Sequence, residues 1–329
     1  MKVMEWMNYW LEKCCGGLKW SSIIRYTENS KCHICPALGD MELEELTAET
    51  LQNFVYALEA KHLAYNTIAS IISTLKMALQ EAVRKGVTRV NNTYSIRLPE
   101  HTEKEAECFT VQEQKKLVRA VSKSGDQRLY GILISASMGL RIGEILALTW
   151  DDINLHSRTI RISKTSYYAK DRNGVYGRIV TAPKTHKSAR TIPIPDILYP
   201  YIKALHEQRE CKYVISWHGK PVKMRTYQAL FSRLLLSLGI RHRGFHALRH
   251  TFATRALECG IDVKTTSEIF GHSSTATTLQ RYTHVLMEHM RKEMSKMEMF
   301  FADHDPDIIV STYIQSVMQV CYEGSLYSA

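Results

Sequence analysis

The sequence predicts a mostly α fold with a small antiparallel sheet (α+β), split into a helical N-terminal domain and a larger mixed domain. Three observations predict it. At 329 residues the chain exceeds one average domain. Apolar residues recur at helical spacing through the first hundred residues. Three short runs with strand character cluster between residues 159 and 195, with helical patterns on either side.

In order, the first hundred residues supply the helices of one domain. MEWMNYWLEKC places Met4, Met7, Trp10 and Leu11 on one face. TAETLQNFVYALEAK opens with Thr47 as N-cap and Glu49 in the first turn, where a carboxylate suits the helix dipole. AYNTIASIISTLKMALQEAVRKG carries Ile68, Ile71, Ile72, Leu75 and Leu79 as an apolar stripe and stops at Gly86. From about residue 91 the chain turns polar and loses periodicity until 108. This places a helical domain at 1–98, a linker at 99–108 and the second domain at 109–302.

The second domain begins at FTVQEQKKLVRAV, where Thr110 and Glu113 form a capping box. A helix follows in RLYGILISASMG, then strands TIRIS (159–163), RIVTAP (178–183) and RTIPIP (190–195). A basic turn joins the last two as a hairpin, and the pattern is helical again from Pro195. Met287, Met290, Met294, Met297 and Phe301, at 3-4-3-4 spacing, make a helix with a narrow apolar seam. The tail at 303–329 holds four acids and no Lys or Arg, and DIIVSTYIQSVMQV within it reads as a protein-contact helix.

Charge is uneven. Residues 1–100 hold 11 Lys/Arg and 11 Asp/Glu, whereas 101–329 hold 32 and 22, which carries the whole net charge of +10. Residues 158–190 contain nine basic residues and one acid, Asp171. Such a block suits a polyanion, most simply nucleic acid, or a solvated face that aids solubility. No run of eighteen apolar residues exists, so no membrane partner is expected. The N-terminus lacks a signal-peptide cleavage site, and a cytoplasmic, nucleoid-associated protein is the expectation. Eight cysteines in such a chain read as free thiols. Cys32 and Cys35, with His33 between them, have half of a zinc spacing, but Cys14 and Cys15 make a poor second half.

Several chemistries lack their signatures. There is no Gly-x-x-x-x-Gly-Lys-Ser/Thr loop, Gly-x-Gly-x-x-Gly, His-Glu-x-x-His or Gly-x-Ser-x-Gly. Asp151 and Asp152 are adjacent, so on extended chain they face opposite ways, and they read as a turn rather than a metal site. The remaining candidates are cationic. GFHALRHTFATRALECG puts His246 and Arg249 three apart on one helix face, with Leu248 and Phe252 turned to a core and His250 as a packing residue. That pair reads either as an exposed helix face or as a phosphate site, with a forked guanidinium beside an imidazole. In SMGLRIGEILALTW, Gly139 breaks a helix and Glu144 lies one turn after Arg141, as a surface ion pair or as a carboxylate orienting a working guanidinium.

These segments together resemble the tyrosine recombinase (phage integrase) family, from about residue 4 to about 290. MGLRIGEILALTWDDIN resembles its first-arginine box, and APKTHKSARTIPIP its hairpin carrying a catalytic lysine. FHALRHTFATRALECGID resembles the His-x-x-Arg box, and IFGHSSTATTLQRYTHV the Gly-His box followed by the nucleophilic tyrosine. All four stand in the family's order, with Tyr282 ten residues after His272; Phe270 replaces the family's usual Leu before Gly-His. The N-terminal helices resemble the family's core-binding domain, which binds DNA, and HICPALGD matches a segment that carries no metal.

The resemblance implies Arg141 and Arg249 as clamps on the scissile phosphate and Lys184 as the acid for the departing 5′ oxygen. Lys187, close by in the basic turn, stays open as an alternative. His246 would serve the tyrosine in proton transfer, His272 would donate to a phosphate oxygen, Glu144 would support Arg141, and Tyr282 would attack. Two arginines, a lysine and two histidines can stabilise the phosphorus centre without a metal, and a phosphotyrosine linkage conserves the energy for rejoining, so neither cofactor nor ATP is expected. The implied partners are double-stranded DNA at specific attachment or core sites, further copies of the chain in a tetramer on two duplexes, and accessory DNA-bending or excision factors. A type IB topoisomerase, a chromosome-dimer resolver, a non-catalytic DNA-binding regulator and a zinc-binding module on Cys32 and Cys35 are the competing readings.

Overall fold

The computed structural model describes residues 1–89, 91–101, 107–182 and 189–271, together with Arg291 and Met294. The chain divides into two compact units, Met1–Lys104 and Glu105–Ala329.

The first unit is helical. Helix α1 (Val3–Tyr9) runs into a π-helical turn at Trp10–Cys14, and α2 (Trp20–Asn29) runs into another at Ser30–Ile34 before the short α3 (Cys35–Leu38). Helices α4 (Ala48–Ala60) and α5 (Tyr65–Arg84) complete it. Thr47 caps α4 by accepting from the Thr50 amide at 3.1 Å. The expected α5 stripe is buried as a block: Ile68, Ile71, Ile72, Leu75 and Leu79 pack with Leu51, Phe54, Val55 and Leu58 of α4. On α1 the buried face differs from the expected one. Val3, Trp6, Met7 and Trp10 are buried while Met4 stands exposed, because the Trp6 indole reaches across to donate to the Ala78 carbonyl at 2.9 Å. The polar stretch from residue 91 is also tied down earlier than its composition suggests. Asn91 and Asn92 donate to the carbonyls of Lys76 and Leu46, and the Arg97 backbone exchanges two hydrogen bonds with the Gln52 side chain.

The second unit is mixed. Helix α6 (Val111–Ser124) opens with the reciprocal Thr110–Glu113 capping box. Helix α7 (Tyr130–Met138) is apolar nearly all round and lies at the centre. Tyr227 packs so closely on it that a Cβ on Gly131 would lie 2.4 Å from the Tyr227 hydroxyl. The one-turn α8 (Ile142–Ile145) leads to strands β1 (Ile153–Asn154), β2 (Thr159–Ile162), β3 (Thr165–Lys170), β4 (Tyr176–Thr181) and β5 (Arg190–Pro193). Helix α9 (Tyr199–Glu207), the small hairpin of β6 (Ser216–Trp217) and β7 (Lys220–Pro221), and helices α10 (Met224–Ser237), α11 (His246–Glu258) and α12 (Val263–Phe270) follow.

The strands correct one expectation. Strand β5 pairs with β2 in the antiparallel sheet β1-β2-β5, whereas β4 pairs with β3 in a separate two-stranded sheet. RIVTAP and RTIPIP therefore do not pair with each other as a hairpin. Strand β3, TSYYAK, takes the place assigned to β5; it lacks clean alternation, so its sequence gave no strand signal. Ile160, Ile162 and Ile192 turn the three-stranded sheet's inner face into the main core.

Candidate active site

The site is built on the end of α7. Gly139 closes that helix with φ 65° and donates its amide to the Ser135 carbonyl at 2.8 Å, and the Ser135 hydroxyl donates to the Leu140 carbonyl at 3.0 Å. Any side chain at 139 would collide, because a Cβ would lie 2.4 Å from Phe270 Cε1 and 2.7 Å from Phe252 Cδ1. This turn delivers Arg141 to the N-cap position of α8, with Glu144 one turn later. Glu144 Oε2 accepts from the Arg141 amide at 3.0 Å and Oε1 accepts from Arg141 Nη1 at 2.8 Å. Of the two readings for this pair, the buried carboxylate orienting a half-exposed guanidinium is the one observed.

Helix α11 departs from the exposed face that spacing alone allowed. Ala247, Leu248, Arg249, Thr251, Ala253, Thr254, Ala256 and Leu257 are all buried, so the helix is enclosed on every side. Arg249, 2% exposed, donates from Nη1 to the Gly139 carbonyl at 2.7 Å and from Nη2 to the Phe270 carbonyl at 2.9 Å. Its guanidinium lies 3.8 Å from the Phe270 ring centroid, where a weakly hydrated cation is favoured on an aromatic face. His246, the first residue of α11, stays exposed, and its ring meets His250 edge-on at 4.9 Å.

Both arginines meet at the C-terminus of α12. The Phe270 carbonyl accepts from Arg249 Nη2 and also from Arg141 Nη1 at 3.3 Å, which sets the two guanidiniums side by side. The last carbonyls of a helix have no intrahelical donor and carry its negative partial charge, so cations gather there. Gly271 ends α12 with φ 61°, and the next residue in sequence is His272.

Arg190 is the residue that sequence reasoning missed. Its guanidinium, with the side chain 7% exposed, donates from Nε to the Ile269 carbonyl at 2.5 Å and forks onto Glu144 from Nη1 (3.2 Å) and Nη2 (3.1 Å). In sequence it is one more cation of the basic block, and only the burial of its side chain in the fold separates it from the rest. Burial alone would raise the Glu144 pKa, but the Arg190 and Arg141 guanidiniums outweigh that and hold it below the ordinary carboxylate value.

The remaining acidic and thiol candidates lie apart from this cluster. Asp152 is buried, accepts from the Thr149 amide and hydroxyl, and pairs with Lys164 at 2.7 Å. Cys32 is exposed and Cys35 lies against the Ser30 hydroxyl at 3.3 Å, while Cys15 sits in the first unit's core, where burial raises its thiol to about 11. Among the described residues no three His, Cys, Asp or Glu side chains are grouped to hold a metal, and no helix is long and apolar enough to cross a membrane. Lys184, Lys187, His272 and Tyr282 lie outside the described residues, as does the methionine seam apart from Met294. The structure thus brings together Arg141, Glu144 and Arg249, adds Arg190, and leaves His246 exposed at the start of α11.

Residues 107–289 match the phage integrase family, and residues 2–58 match the N-terminal SAM-like domain of phage integrases. A tyrosine recombinase XerC-like protein of Caldanaerobacter subterraneus subsp. tengcongensis is 30% identical over 287 residues, covering 79% of this chain and 71% of the relative. A tyrosine recombinase XerC of Alcanivorax borkumensis is 27% identical, covering 77% of this chain and 80% of the relative. The Tn1549 transposon integrase, solved in complex with transposon right end DNA, shares the fold with a TM-score of 0.78 at 21% identity, over 91% of this chain and 100% of that one. A lambda integrase dimer bound to a COC′ core site gives 0.65 at 20% identity, over 85% and 77%.

Proposed function

The chain belongs to the phage integrase family and is a tyrosine-type site-specific DNA recombinase; we propose that it works through a 3′-phosphotyrosine intermediate on Tyr282 and integrates or excises a mobile element. The observation that carries the assignment of roles is the meeting of Arg141 and Arg249 on one carbonyl, with Glu144 holding the first of them. Two guanidiniums side by side suit the two non-bridging oxygens of a phosphodiester, and a transition state that gathers charge there is stabilised more than the ground state.

In this reading the Tyr282 oxygen attacks the scissile phosphorus and the 5′ oxygen leaves. A tyrosine hydroxyl with a pKa near ~10 is mostly neutral, so it needs positive surroundings and a proton acceptor. His246, exposed at the start of α11, serves that transfer, and His272 donates to a phosphate oxygen. Lys184 gives its proton to the leaving 5′ oxygen; a lysine within a basic block surrenders a proton more readily. A DNA 5′-hydroxyl then attacks the phosphotyrosine, and when it belongs to a second duplex the strands are exchanged. No cofactor enters the reaction. Four copies on two duplexes, with accessory bending or excision factors, make the working assembly, and the helices of the first unit grip the core site.

The test is a nicked suicide DNA substrate carrying the attachment site. Wild type is expected to accumulate a covalent protein–DNA adduct and Tyr282→Phe none. An adduct persisting in the variant removes Tyr282 as nucleophile, and relaxation of supercoils at any sequence would favour the topoisomerase reading.

A further inference from the structure

Arg190 has no part in the reaction as set out above, yet its guanidinium is fully engaged: Nε on the Ile269 carbonyl and the two Nη atoms on the two oxygens of Glu144. A carboxylate offers about four acceptor positions. Arg141 fills two of those on Glu144, with its amide and Nη1, and Arg190 fills the other two. Charge closes in the same way. Glu144 with Arg141 alone would be a neutral ion pair, and a carboxylate that cancels Arg141 competes with the phosphate for it. With Arg190 present the group of three carries a net positive charge, Glu144 is neutralised from the β5 side, and Arg141 keeps its charge for the DNA while its geometry stays fixed.

We propose that Arg190 is a positioning residue for strand cleavage: it acts as the counter-cation of Glu144 and as the clasp on the last turn of α12, so that Arg141 and Arg249 stand charged and aligned for the scissile phosphate. The proposal rests on the recombinase reading above. Three elements meet through it, β5 by Arg190 itself, α8 by Glu144 and α12 by the Ile269 carbonyl, and the adjacent Phe270 carbonyl is the one both other arginines hold. Among the described residues, the charged groups bonded to Glu144 are Arg141 from α8 and Arg190 from β5, and Arg249 from α11 joins them through the Phe270 carbonyl.

The test measures single-turnover cleavage of the suicide substrate beside binding to the same DNA. Arg190→Gln is expected to bind with wild-type Kd and to cleave about 100-fold more slowly, as misplacement of a reacting group by about 1 Å does. Arg190→Lys, which keeps the charge but not the fork, is expected to lose about tenfold. The distinguishing variant is Glu144→Gln added to Arg190→Gln. It restores the net positive charge, and cleavage is expected to recover by about tenfold over Arg190→Gln alone, a gain that a purely structural role does not give. Arg190→Gln cleaving within about twofold of wild type, Arg190→Lys as slow as Arg190→Gln, or a double variant no faster than the single one each overturns the proposal. A wild type that forms no adduct sinks the recombinase reading, and this proposal with it; a cleaving wild type beside an unaffected Arg190→Gln sinks this proposal alone.

Discussion

Helix α5 of the first unit and helix α11 of the second are both held in place by burial, but they bury different things. Helix α5 encloses an apolar stripe, with Ile68, Ile71, Ile72, Leu75 and Leu79 on one side and polar residues on the other. Helix α11 has no stripe: Leu248 and Leu257 are buried together with small and polar residues all round it, and an arginine lies among them. Its neighbours are held by hydrogen bonds where bulky side chains would otherwise pack. Thr251 Oγ1 accepts from the Phe109 amide at 2.8 Å and donates to the Ala247 carbonyl, and Arg255 donates to the Phe109 carbonyl. Small side chains also let the Gly139 turn and the end of α12 come close enough for one guanidinium to bond both. Helix α5, which encloses an apolar core, shows amphipathic spacing; helix α11, which encloses a charge, gives that spacing up.

Breaking the two helices separates these roles. The largest effect falls on Arg249→Ala, which strips donors from the buried carbonyls of Gly139 and Phe270. Cleavage is expected to fall by about 10²–10³-fold, the loss seen when one transition-state donor is removed, while the apolar core of the first unit keeps its stability. Equal cleavage by this variant in the suicide-substrate assay would mean that the Arg249 guanidinium is not used by the reaction. Next comes Leu75→Ala at the centre of the α5 stripe, expected to cost the first unit about 2–5 kcal/mol. Hydrogen exchange of the α5 amides is the readout, and unchanged protection there would deny the stripe its role. Thr251→Ala is the smallest of the three. It leaves the Phe109 amide buried without its acceptor, at a cost of about 1–3 kcal/mol to the second unit, read in a denaturant melt as a lowered midpoint at unchanged slope.

The same contrast explains what was legible in the sequence. The α5 stripe, the Thr47 cap and the Thr110–Glu113 box depend on neighbours in sequence, and the structure holds them as read. Arg141 with Glu144, and Gly139 before them, were legible for the same reason, since one turn of helix contains the interaction. Arg249 is legible as a residue type but not as a buried one, because burial of α11 depends on α12 and also on α7 and Phe109, which lie far off in sequence. Arg190 was not legible at all. Its partners lie 46 and 79 residues away, and in sequence it is only one cation among nine between residues 158 and 190. The pairing of β4 with β3 escapes the sequence because TSYYAK lacks the alternation of a half-buried strand, and the expected hairpin of β4 and β5 rests on adjacency and on the resemblance of APKTHKSARTIPIP to the family's hairpin. On α1 a shift of one residue in the buried face was enough to expose Met4, since the Trp6 bond to Ala78 fixes the rotation of the helix.

The proposed chemistry turns on one bond, between the Tyr282 oxygen and a DNA 3′ phosphate. The most direct test is to trap wild-type protein on the suicide substrate, digest both protein and DNA, and locate the nucleotide-bearing peptide by mass spectrometry. The expected result is one modified peptide spanning residues 279–285, with the nucleotide remnant on Tyr282. A remnant on any other residue, or none from protein that recombines DNA, contradicts the account.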